Sequence, residues 1–104
     1  MTDGVLDLGL ELTALVRSKR PDGLTPHRAA TAAAEEVGEC IGAHNKFADG
    51  RVQTLDHFRT EWSQAMLCLV MLGAQYLDRE EMTDSLRTEM DVQRRRWAQL
   101  TTDD

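Results

Sequence analysis

Three glutamates, Glu35, Glu36 and Glu39, fall within little more than one helical turn, directly after the alanine-rich run from Ala29 to Ala34. Side chains three apart share a helical face, so Glu36 and Glu39 project together. Ala32 and Ala43 extend that face in both directions with small side chains. Like charges at this spacing repel, and a cation between them removes the penalty, so the pattern predicts half of a divalent metal site. The other half is sought downstream, where Glu61 and Gln64 repeat the three-residue spacing. They belong to a stripe of His57, Glu61, Gln64 and Cys68. The plainer alternative is a solvated acidic face.

Positioning these groups requires helices, and helical periodicity dominates the chain. Leu8, Leu12, Leu15 and Val16 predict an amphipathic first helix from about Val5 to Ser18, ended by Arg20-Pro21-Asp22-Gly23. Thr25-Pro26 reads as a hydroxyl N-cap followed by proline at the first helical position. The second helix should then run to about Phe47, with Asp49-Gly50 as the next turn. Thr54 is the expected N-cap of a third helix. Its seam is read as Leu55, Phe58, Trp62, Ala65, Leu69, Leu72 and Tyr76. Between Ala65 and Ala74 the opposite face is apolar too (Met66, Leu67, Val70, Met71), which demands cover on more than one side. A second copy of the chain is the expected source. Asp78 and Glu81 form a capping-box pattern for a fourth helix, roughly Arg79 to Leu100, whose Arg87 and Arg94-Arg95-Arg96 give it a basic face. Antiparallel packing of helices two and three would bring the two polar pairs face to face.

The 104 residues predict one domain, residues 1–100, with a disordered tail over 101–104. A net charge of −6 and a pI near 5.0 disfavour binding to polymeric nucleic acid. Cys40 and Cys68 form no CxxC pair and read as buried free thiols ahead of a disulfide. No basic-then-apolar leader pattern is present, and the longest apolar run, Ala65 to Ala74, is too short to span a bilayer. A cytoplasmic protein without membrane attachment is expected.

The paired pattern resembles the MazG-like superfamily of all-α nucleoside triphosphate pyrophosphohydrolases, whose mark is Glu-x-x-Glu, a spacer, then Glu-x-x-Asp. Here the first half is Glu36-Val37-Gly38-Glu39, preceded by Glu35, and a spacer of 21 residues leads to Glu61-Trp62-Ser63-Gln64. Glutamine stands where the family has aspartate. The late segment from Met90 to Trp97 is also similar, with Glu89 and Gln93 where relatives usually carry lysine and asparagine. The resemblance covers roughly Val5 to Trp97.

It implies an all-α, MazG-like bundle subunit of four helices, and the cover that the third helix demands adds the expectation of a homodimer or homotetramer. The implied activity is Mg²⁺-dependent hydrolysis of a nucleoside triphosphate to the monophosphate and pyrophosphate, with Mn²⁺ as an alternative ion. The implied metal ligands are Glu36, Glu39, Glu61 and Gln64. Glu35 would complete the shell or orient the attacking water, and Lys46, Arg94 and Arg96 would hold the phosphates. Gln64 can ligate through its amide oxygen, but it brings no charge and cannot act as a base. A second reading therefore stands beside the first: the same fold without catalysis, binding nucleotide, metal or a protein partner. A helical interaction module with surface acids is a third.

Overall fold

The computed structural model describes residues 4–100, and the expected tail over 101–104 lies outside them. Among the described residues all regular structure is helical: α1 Val5–Lys19, α2 Pro26–Ala48, α3 Asp56–Gly73 and α4 Arg79–Ala98. Among the described residues the fold is therefore all-α with four helices, as the periodicity predicts, and none of them is long and apolar enough to cross a membrane.

Local chemistry fixes the helix starts. The Thr25 hydroxyl accepts from Arg28 N–H at 3.2 Å, and Pro26 opens α2 where its missing N–H costs nothing. At α4 the capping box is complete: Glu81 N–H donates to Asp78 Oδ1 at 2.8 Å and Asp78 N–H to Glu81 Oε1 at 3.1 Å. The start of α3 departs from expectation. Leu55, with no side-chain cap, occupies the N-cap position in place of Thr54. The helix begins one residue later than expected, so the threonine hydroxyl lies outside it. Asp56 in the first turn still complements the helix dipole.

The most extensive helix contact is between α2 and α3, followed by α1 on α3, and α4 packs chiefly against α1. On α1 the inward positions are Gly9 and Thr13, while Leu8 and Leu15 are exposed, so the contact face is rotated from the leucine stripe read in the sequence. Gly9 lies against Val70, and a Cβ at residue 9 would overlap that side chain. Thr13, fully buried, donates its hydroxyl to the Gly9 carbonyl at 2.7 Å and leaves no polar atom unpaired. Close approach of the helices thus selects small residues at the crossing.

A second correction concerns α3. Trp62, Leu69 and Tyr76 of the expected seam are exposed, while Ala65, Val70 and Met71 are buried. Tyr76 lies beyond the helix, which ends at Gly73. The buried core consists largely of small side chains, Ala29, Ala33, Cys40, Ala43 and Ala65, with Val70, Met71 and Met82. The radius of gyration, 16.7 Å, exceeds the roughly 13 Å of a compact chain this long.

Candidate metal centre

The face of α2 that meets α3 is a stripe of Ala29, Ala33, Glu36, Cys40 and Ala43, at alternating four- and three-residue steps. Four of these positions are buried and Glu36 is half-buried among them. Small neighbours let the helices approach, and a carboxylate is thereby held inside an otherwise apolar seam. On α3 the opposing stripe is Glu61, Ala65 and Cys68, with Ala65 buried and the other two half-buried. Glu61 and Cys68, two members of the polar stripe read in the sequence, thus face α2 beside Ala65 of the expected seam. The helices run antiparallel: Glu39 meets Glu61, and one turn back along α2 Glu36 meets Gln64 and Cys68.

Glu36, Glu39 and Glu61 each offer a carboxylate oxygen within 4.8 Å of the others. The crowding has an electrostatic signature. The Glu39 carboxyl is raised above its ordinary value, first by the charge of Glu36, then by a hydrogen bond with Glu61, with Glu61's charge, burial and Glu35 adding to it. A cation between the carboxylates would offset this mutual repulsion.

Gln64 closes one side of the cluster. With its NH₂ toward the acids it donates to Glu36 Oε2 at 3.0 Å and to Glu61 Oε2 at 3.3 Å. Hydrogen bonding selects this orientation, because the reverse sets the amide oxygen against acceptors alone. On the outer side, His57 Nε2 lies 3.4 Å from Glu61 Oε1, one helical turn away. Burial, and after it the charge of Glu36, pushes the Cys68 thiol upward. Cys68 is therefore a protonated thiol in the seam and a poor nucleophile. Both cysteines are free.

The remaining expected site residues are placed differently. Glu35 is exposed beside Glu36, and its charge reaches Glu39. Lys46 is exposed two turns beyond Glu39 on the same face, roughly 10 Å along the axis. Arg94 is exposed and paired to Asp91 of its own helix at 2.7 Å, and Arg96 is exposed. Among the described residues no ion pair joins either arginine to the acids.

The donor set suits a hard divalent cation. It is all oxygen, drawn from two helices, and excessively negative without a counter-charge, which matches the carboxylate ligation that Mg²⁺ and Mn²⁺ accept. The location of Glu36 inside the seam carried little signal in the sequence. It has a recognisable trace, a glutamate occupying one step of a regular stripe of small residues. Comparison with protein-family models, with curated proteins and with solved structures found no match.

Proposed function

We propose that this protein hydrolyses a nucleoside triphosphate to the monophosphate and pyrophosphate, using Mg²⁺ or Mn²⁺ held by Glu36, Glu39 and Glu61. The observation that carries the reading is the convergence of these three carboxylates, from two helices, within 4.8 Å. The resemblance to MazG-like pyrophosphohydrolases supplies the reaction class.

A bound Mg²⁺ would supply phosphate charge neutralisation and a lowered pKa for the attacking water. The residues do the rest. Glu36 and Glu61, positioned on facing helices, would hold the cation. Glu39, whose carboxyl is raised by the charge of Glu36 and by Glu61 beside it, would supply the third carboxylate. Glu35, exposed at the rim, orients the water and accepts its proton. Lys46 meets phosphate oxygens on the solvent side.

Arg94 and Arg96 join the site in this proposal from a second copy of the chain. The support is the unpartnered surface: Leu86, Met90 and Trp97 of α4, with Trp62 and Leu69 of α3, are all exposed.

A second reading, the same bundle without catalysis, is favoured by one observation: the Gln64 amide satisfies Glu36 and Glu61 as a donor and adds no charge. Incubation with a panel of nucleoside triphosphates and Mg²⁺ or Mn²⁺ separates the two. Metal-dependent pyrophosphate release that is lost in Glu61→Gln is the expected result. No turnover, together with metal- or nucleotide-dependent thermal stabilisation, would establish the second reading instead.

A further inference from the structure

Gln64 occupies a position where a carboxylate would add one more negative charge to three already crowded acids. Its amide has two N–H groups on one nitrogen, and two acceptors lie within reach, one on each helix: Glu36 Oε2 at 3.0 Å and Glu61 Oε2 at 3.3 Å. Hydrogen bonds to an ionised acceptor are roughly twice as strong as neutral ones. The pairing also settles the other end of the side chain, since in this orientation the amide oxygen faces donors. A ligand role would require the opposite orientation, with the oxygen turned inward against two carboxylates.

We propose that Gln64 is a positioning residue that braces Glu36 of α2 to Glu61 of α3 through its amide N–H groups, holding the acids converged before a cation arrives. The consequence for cation binding rests on the functional reading above; the brace itself does not. Glutamine at this position makes the α2–α3 seam independent of divalent metal, because a neutral donor offsets the repulsion that a fourth acid would increase. When a cation enters, Gln64 orients its carboxylate ligands from outside the coordination shell, the arrangement by which outer partners commonly tune a metal site.

The test is thermal unfolding of the full chain in EDTA, for the wild type, Gln64→Met, Glu36→Met and the double variant. Methionine keeps the length of each side chain and removes the donor or the acceptor. Gln64→Met should lower Tm by roughly 4 °C, and the loss should shrink by about half in the Glu36→Met background, because one of two acceptors is gone. Equal Tm for wild type and Gln64→Met, or an equal loss in both backgrounds, would overturn the proposal.

Gln64→Glu provides a readout that helix propensity does not move. In EDTA it should fall below Gln64→Met, and Mn²⁺ should restore it by more than Mn²⁺ raises the wild type. Stability in EDTA equal to wild type would also defeat the brace. Coupling in EDTA without any response to Mn²⁺ would support the brace and refute the metal-dependent function.

Discussion

Helices α2 and α4 are of similar length, 23 and 20 residues, yet they are held in different ways. α2 contributes four buried side chains to a seam with α3 and α4 contributes one, Met82. The acids of α2 are crowded together by packing, whereas Arg94 is spread against its own neighbour Asp91 and Trp97 is 67% exposed. Stability and acid convergence therefore come from the same small-residue contacts in α2 and α3. Arg94 and Arg96 lie on a helix that the single chain leaves largely exposed. If the two regions cooperate in one reaction, the second needs a partner and the first does not.

The sharpest break in this contrast is chemical. Replacing Glu61 by Gln leaves the seam packed but removes a charge from the centre, and divalent-dependent pyrophosphate release should fall by at least about 100-fold, with circular dichroism unchanged. Activity within a few-fold of wild type would remove Glu61 from the centre.

Packing comes next. Gly9→Ala should cost about 1–3 kcal/mol in denaturant unfolding, because the added methyl meets Val70 at the α1–α3 crossing. An unchanged midpoint would mean that the crossing is looser than its geometry.

The uncovered region should respond in another way. Trp97→Ser should change the stability of dilute protein by no more than about 0.5 kcal/mol. Sedimentation at higher concentration should show whether it lowers the fraction of assembled chains. A large loss in the dilute monomer would contradict the exposure of α4.

The smallest effect concerns protons. Glu39 holds its proton more tightly in the folded chain than in the unfolded one, so the folded state binds more protons over that interval. Without divalent metal this contribution is fully present below the ordinary glutamate value of 4.5 and is lost as pH rises through the elevated folded value. Wild type should therefore lose stability relative to Glu39→Gln across that window. Saturating Mn²⁺ should flatten the difference, and a wild type that gained stability relative to Glu39→Gln as pH rose would reverse the assignment.

How far these features could be read in advance depended on how local their causes are. The starts of α2 and α4 were legible because Thr25-Pro26 and the Asp78–Glu81 box act within one turn. The acidic pairing was legible because a three-residue spacing on two antiparallel helices leaves few other arrangements. The inner face of α3 was not, since its apolar residues surround the helix and hydropathy cannot choose a side. Nor were Gly9 and Thr13, which are buried by close approach and carry almost no hydrophobic signal. Gln64 was legible in position and not in orientation, because an amide can present either end and only its neighbours decide.

The central claim is that carboxylates from two helices hold one divalent cation. Mn²⁺ titration followed by electron paramagnetic resonance, on wild type, Glu36→Gln and Glu61→Gln, tests it most directly. A single saturable site in the wild type, weakened at least about tenfold by either substitution, is the predicted result. Binding that is absent, or undiminished when either helix loses its carboxylate, would contradict it.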